Sequence, residues 1–435
     1  MILVYASKIT PRVRYIFHFF LNDILNIAYE LTSEREKFEA SDLPRINYSE
    51  TEIKGAVTII SHSLLFETGI KEQRIHVTEW KSTKVFFQTD SLSPVPFDVF
   101  AASFYLLTRY EEFLPYQMDS HGRFSAEESL AFKNDFLEEP VIDQWALLLA
   151  AAIKQRYPDF KIPERKFQYI PTIDIDIAYA YKFKGFGRTL GAFAKDLIKF
   201  NLSDNISRIK VLLGLEKDPY DTYDFFVKLH EKYKLSPVFF FLVGRYSKFD
   251  KNHSIRKKEF RELIKQILAV AKVGLHPSYG SNADFQELKN EAEEFSQLIG
   301  KKVERSRQHF LKLTIPETYR NLNKLGIAED YTMGFASKPG LRAGTCTSFH
   351  FYDLEMEEQT LLKINPFQVM DGTLNQYMKL KPEEAVEKIR KMVNSVKMVN
   401  GTFISLWHNE SVGELRDWKG WSGVYEEVLK ICKSN

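Results

Sequence analysis

The sequence predicts an α/β protein with a smaller N-terminal α/β domain over residues 1–160 and a larger strand–helix unit over 165–435. Three observations carry this reading. Short apolar runs of strand length recur along the chain. Stretches with apolar residues at helical spacing stand between them. A polar, Pro-containing stretch, PDFKIPER at 158–165, separates an irregular first part from a second in which strands and helices alternate.

The bulk numbers bound the answer. A chain of 435 residues implies two or three domains. With 44% hydrophobic and 27% charged residues it has a globular balance. The 35 Phe and 21 Tyr imply cores rich in aromatic rings. The net charge of +2 gives no global basic field, so neither nucleic acid nor an anionic membrane is favoured as a partner. Cys346 and Cys432 lie far apart, which argues against a disulfide scaffold and a Cys-based zinc site and suits a reducing compartment. The first residues are apolar and then basic, the reverse of a secretion signal. No run approaches eighteen apolar residues, so a soluble cytoplasmic protein without membrane insertion is expected.

In order along the chain, ILVYA at 2–6 reads as a buried strand and 12–28 as a helix carrying Val13, Ile16, Phe17, Phe20, Ile24 and Leu25. Strands follow at 55–61 and 83–88, and helices at 98–113 and 143–153. His18, His62, His76 and His121 are scattered without ligand spacing, and no Gly-rich phosphate loop occurs here. The second part alternates. Strands are expected at 168–175, 237–243, 272–276, 303–307, 326–330, 364–370 and 401–407, and helices near 221–233, 256–270, 284–299, 316–324 and 383–398. Such units build a parallel sheet or a (β/α) barrel. Residues 178–220 form a Lys-rich excursion after the first strand, read as covering the barrel mouth.

The polar residues of interest end these strands, where a (β/α) barrel carries its chemistry. In QYIPTIDIDIA, Asp174 and Asp176 are two apart and share a strand face. Two carboxylates there either hold a cation and serve as a base, or cap nearby loops. His276 ends a short apolar strand in GLHPSYGSN and suits zinc as a neutral imidazole, unless it is a satisfied core residue. In ERSRQHF, Arg305, Arg307 and His309 alternate onto one face, which could orient a carboxylate, add an imidazole, or simply meet solvent. Arg342 stands between glycines in SKPGLRAGT, where backbone can approach a ligand. Asp371 ends a strand at a DG turn, and turn-making alone would explain it. His408 closes GTFISLWHNE and is a general-acid candidate.

Taken together these motifs resemble the polysaccharide deacetylase family, the NodB-homology or carbohydrate esterase family 4 fold, over roughly residues 165–415. The resemblance implies a distorted (β/α) barrel of NodB-homology type. It implies a metal-dependent hydrolase that removes an acyl group from an N-acylated sugar or related amide. TIDID resembles the TFDDG motif, so Asp174 would be the catalytic base and Asp176 a metal ligand. GLHPSYGS resembles the HxxxH-type motif, with His276 as ligand. RQHF resembles the RxxY-type motif, with Arg307 holding the base, and LWH resembles the closing LxH motif, with His408 as general acid. Arg342 and Asp371 would contact substrate, and the cofactor would be a divalent metal, Zn²⁺ by preference. The chain departs from the pattern where a second histidine is usual: Gly280 and Ser281 stand four and five residues after His276. Ile175 separates the aspartates, and His309 stands where Pro is common. A site rebuilt on Asp176, His276 and either Asp174 or His309 is one reading, and a catalytically silent carbohydrate-binding domain is the alternative. A small-amide amidase, and glycoside hydrolysis by Asp174 and Asp371, are further rivals. The whole chain also resembles a bacterial subgroup in which an extra N-terminal domain precedes such a unit.

Overall fold

Six strands of the computed structural model place their carboxyl ends along one edge. They run in the order Arg305–Ser306, Lys272–His276, Val238–Leu242, Gln168–Ile175, Thr402–His408 and Val369–Met370. The structure describes residues 1–89, 93–198 and 202–434. The chain divides into two units. The first comprises Met1–Gln168, Leu313–Gln368 and Met392–Phe403, and the second Tyr169–Lys312, Val369–Lys391 and Ile404–Asn435. The first unit thus extends beyond the expected N-terminal segment by two later stretches.

In the second unit the strands pair in parallel. Parallel strands are covered on both faces and read as continuous apolar runs, as in VFFFL at Val238–Leu242, where every residue is buried. Helices Tyr223–Lys232, Lys258–Leu268 and Phe285–Ile299 make the return crossings. The third shows how the sequence specifies them. The Asp284 side chain accepts from the amides of Gln286 and Glu287, capping the start. Leu288, Ala292, Phe295 and Ile299 form the buried stripe, and Gly300 at φ 72° ends the helix. The expected barrel does not close: among the described residues, Val369–Met370 ends the run with Thr402–His408 as its one neighbour. The fold is α/β, with an open run of parallel strands.

The excursion at 178–220 contains two helices, Phe186–Ile198 and Leu202–Leu212, which pack on each other. Its residues 199–201 lie outside the described residues. No helix among the described residues is long and apolar enough to cross a membrane.

The first unit holds a parallel four-stranded sheet in the order Tyr29–Thr32, Ile2–Ala6, Arg45–Ser49, Val57–Ile60. Its core is aromatic: Phe17 and Phe100 have ring centroids 4.1 Å apart, and Tyr48 packs edge-on to both. The helix expected over 98–113 stops at Leu107, because Arg109 takes a left-handed conformation at φ 55°. The strand expected at 364–370 also differs. The chain forms an antiparallel hairpin of Phe349–Asp353 and Glu358–Ile364, then passes Pro366, which cannot donate to a ladder.

Candidate metal centre

Parallel pairing brings the ends of five strands together, and with them Asp174, Asp176, His276, Arg307, His309, Asp371 and His408. Asp174 lies on its strand and Asp176 just past its end. The Asp174 side chain is 2% exposed and accepts from Arg307 Nη1 at 2.9 Å. The same Nη1 donates to Thr172 Oγ1 at 2.7 Å, and the guanidinium lies over the Phe240 ring at 4.8 Å. A planar cation held on three sides fixes the carboxylate it pairs with.

Asp176 meets three imidazoles. Its Oδ1 lies 3.1 Å from His276 Nε2, and its Oδ2 lies 3.3 Å from His309 Nε2 and 3.8 Å from His408 Nε2. Burial would raise the Asp176 carboxyl, but His309, His276 and His408 outweigh it and hold it well below the usual carboxylate range. One ligand atom each from Asp176, His276 and His309 lie within 4.8 Å of one another, a group that could hold a metal ion. One carboxylate and two imidazoles are a donor set that zinc accepts.

Two features fit these residues to a cation. First, each histidine is turned by its other ring nitrogen. His276 Nδ1 donates to the carbonyl of Arg307, and His309 Nδ1 stands 2.8 Å from Asp250 Oδ1, so both Nε2 atoms face Asp176. Second, Asp176 Oδ1 is buried and makes no hydrogen bond, although His276 Nε2 is close. The two atoms are near but misaligned for a bond to each other, as two donors aimed at a common third point are.

Around this group stand two further devices. His408 Nδ1 lies 2.8 Å from Asp371 Oδ1, and its backbone amide donates to Asp371 Oδ2 at 2.7 Å. Burial opposes the His408 imidazolium, but Asp371, Asp176 and Asp174 outweigh it and raise its pKa well above the usual range. Asp250, which the sequence reading missed, also accepts from the Tyr279 amide at 2.9 Å and from Ser247 Oγ at 2.6 Å. Burial opposes the His309 imidazolium too, but Asp176 and Asp250 push its pKa up to about 9.

Two residues expected at the substrate have protein partners of their own. Both oxygens of Asp371 are engaged by His408. Arg342 belongs to the first unit, where it is 2% exposed and forms a two-pronged pair with Glu112 at 2.9 and 2.6 Å. Its Nη1 donates to the Gly334 carbonyl at 3.0 Å. Arg305, the first member of the alternating trio, donates through Nη1 to Glu304 Oε2 at 3.1 Å.

A family model described as a family of unknown function (DUF7033) matches residues 2–158. No curated protein matches the chain. Among solved structures, the chain is similar to a Mycobacterium smegmatis protein assigned as a polysaccharide deacetylase, with TM-score 0.41 and 13% identity over 63% of this chain and 87% of that one. It is similar to PuuE allantoinase with TM-score 0.38 and 9% identity, over 63% of this chain and 88% of that one. A GH138 enzyme targeting pectin rhamnogalacturonan II aligns with TM-score 0.26 and 11% identity, over 100% of this chain and 64% of that one. All three likenesses are weak, with identities of 13% or less.

Proposed function

We propose that the second unit is a metal-dependent hydrolase of carbon–nitrogen bonds that removes an acyl group from an N-acylated sugar or a related amide. The observation that carries this reading is the convergence of Asp176, His276 and His309, with a buried carboxylate on an arginine beside them and a histidine–aspartate pair facing the same carboxylate. The residues that would hold the cation, Zn²⁺ by preference, are Asp176, His276 and His309. When bound, the cation supplies Lewis acidity, polarising the scissile carbonyl and making water acidic enough to react near neutral pH.

The protein's own groups do the rest. Asp174 takes a proton from the attacking water. Arg307 holds that carboxylate in place and is a positioning residue, since its guanidinium is fully buried. His408 carries the proton the departing amine needs, and Asp371 keeps it charged and fixes the ring so that Nε2 faces the centre. Amide hydrolysis requires a base for the attacking water and an acid for the departing amine.

The test is acetate release from N-acetylglucosamine oligomers by zinc-loaded protein, compared with Asp174→Asn. Loss of roughly 10²–10⁴-fold in rate with the metal retained is expected for removal of a general base. A zinc-loaded variant as active as the parent would sink the assignment of Asp174. Absence of hydrolysis on both sugar and small-amide substrates by the parent would leave binding as the function of the unit.

A further inference from the structure

The two helices of the excursion present an apolar face to the outside. On Phe186–Ile198 the outward positions are Phe186, Leu190, Ala194 and Ile198, spaced by four and so stacked in one stripe. Phe186, Leu190 and Ile198 are 84%, 58% and 78% exposed. On Leu202–Leu212 and the turn after it, Ile206, Ile209 and Leu213 repeat the pattern and are 55%, 46% and 68% exposed. Single exposed apolar residues are ordinary, but a contiguous set on two adjacent helices marks an interaction surface.

The inner faces of these helices are already used. Arg188 donates to the carbonyls of Asn252 and Lys251 at 3.0 and 2.8 Å and lies over the Tyr246 ring at 4.2 Å. Buried Arg208 lies over Phe193 at 4.9 Å and Tyr181 at 5.2 Å. The outward stripe is therefore not a core face that has been turned the wrong way.

Charge says what covers it. Between Ala178 and Lys217 the sequence holds eight Lys and Arg against three Asp and Glu, a net of +5 in a chain whose total is +2, and still +3 once the inward-facing Arg188 and Arg208 are set aside. The neighbouring loop adds exposed Arg245 and Lys248 on either side of an exposed Tyr246. The total charge hides this segregation, which is why an anionic membrane looked disfavoured from composition. An aliphatic and Phe-bearing stripe flanked by cations and a Tyr is the composition of a helix that lies in a membrane interface. A second copy of the chain is a poorer occupant, because a two-fold contact would set this basic segment against itself.

The excursion is also fastened beside the metal centre. The Asp218 carboxylate accepts from the amides of Ala180, Tyr181 and Lys182 at 2.7–3.0 Å, closing its root. Asn409, next to His408, donates to the carbonyls of Ile177 and Tyr220 at 3.1 and 2.9 Å. His253 Nε2 lies 3.0 Å from the Lys182 carbonyl.

We propose that residues 186–198 and 202–215, with the Arg245–Lys248 loop, form a peripheral docking surface for an anionic bilayer, burying the apolar stripe at the level of the lipid headgroups. The surface stands on its own observations and does not depend on the centre being a hydrolase.

The experiment is flotation of the full chain with two kinds of vesicle, phosphatidylcholine alone and phosphatidylcholine mixed in equal parts with phosphatidylglycerol. The protein is expected to float with the mixed vesicles, less so as salt rises, and little with the neutral ones. The double variant Leu190→Glu/Ile209→Glu changes exposed positions and should keep its melting temperature while losing about tenfold or more of its partition. Failure of the parent to float with mixed vesicles overturns the proposal. So does flotation that the variant leaves unchanged. A parent that is dimeric by light scattering and becomes monomeric in the variant, without vesicle binding in either, would assign the stripe to a second copy instead.

Discussion

His309 Nδ1 stands 2.8 Å from Asp250 Oδ1, and its Nε2 stands 3.3 Å from Asp176 Oδ2, so one imidazole bridges a buried loop carboxylate and the carboxylate at a strand end. This is the carboxylate–histidine arrangement that orients metal ligands. The second imidazole beside Asp176 stands just past the strand end at 305–306, not in the turn that follows His276.

Removing ligand and orienting residue should therefore have graded effects on metal binding. His309→Ala is expected to abolish stoichiometric Zn²⁺, and Asp250→Asn to weaken it by about 10–100-fold. Competition with a chromophoric chelator measures both. Zinc content equal to the parent in His309→Ala would remove this residue from the centre.

The pair of Asp371 and His408 sets a pH dependence. His408 titrates well above the usual histidine range once Asp371, Asp176 and Asp174 outweigh its burial. A proton donor with a raised pKa stays competent up to that pKa, so kcat/KM should fall on the alkaline side. Asp371→Asn removes the largest supporting charge and should move the alkaline limb to lower pH. The linkage to stability has the same sign: the contribution of His408 is complete below its unfolded pKa and is lost as pH rises through the folded one. A pH–rate profile that Asp371→Asn leaves in place would deny His408 the role of acid.

Glu291 gives a stability prediction of the opposite charge type. Its Oε2 accepts from the Ser278 amide at 3.0 Å, while its Oε1 is buried without a hydrogen bond against Gly244. It lines a cavity of about 460 Å³ together with Asp284, Glu287, Glu293 and Glu294. Burial, helped by Glu287 and Asp250, pushes its pKa from 4.5 to about 7. The unfolded carboxyl ionises first, so the folded state loses stability as pH rises from about 4.5 to 7, by on the order of 2–3 kcal/mol. Glu291→Gln keeps the shape and has no charge to bury. Its urea midpoint relative to the parent should be higher above about pH 7 than below about pH 5. Equal differences at both ends would mean that Glu291 is ionised and satisfied in the fold.

Much of the centre was legible because its residues follow apolar runs. Asp174, Asp176, His276 and His408 lie at or just past the ends of strands whose preceding residues form a buried apolar run, and a polar residue in that place stands out. Asp250 carries no such mark. It sits in the loop YSKFDKN, where any Asp reads as a turn residue, and only the approach of His309 from 59 positions away gives it a role. The helices at Phe186–Ile198 and Leu202–Leu212 were hidden for a different reason. Gly187 and Gly191 weaken local helix propensity, and the apolar stripe faces outward, where periodicity is normally taken as polar. The barrel expectation rested on strand–helix alternation, which an open parallel sheet satisfies equally.

Arg342 marks the limit of reading chemistry from flanking glycines, and it yields the last prediction. Gly340 and Gly344 permit close approach, but the approach is made by Leu137 and Leu106 of the same unit, not by a ligand. The guanidinium instead meets Glu112, 230 positions away, which also pairs with Arg109 at 2.7 Å. Burial alone would raise the Glu112 carboxyl, but Arg342 and Arg109 hold it below the usual range. Arg342→Ala leaves a buried carboxylate with one partner in place of two, and breaking a buried pair in this way costs about 3–5 kcal/mol. Thermal melting should register that loss, while zinc affinity and acetate release per folded molecule at low temperature stay at the parental level. The opposite pattern, an unchanged melt with hydrolysis lost, would return Arg342 to the substrate.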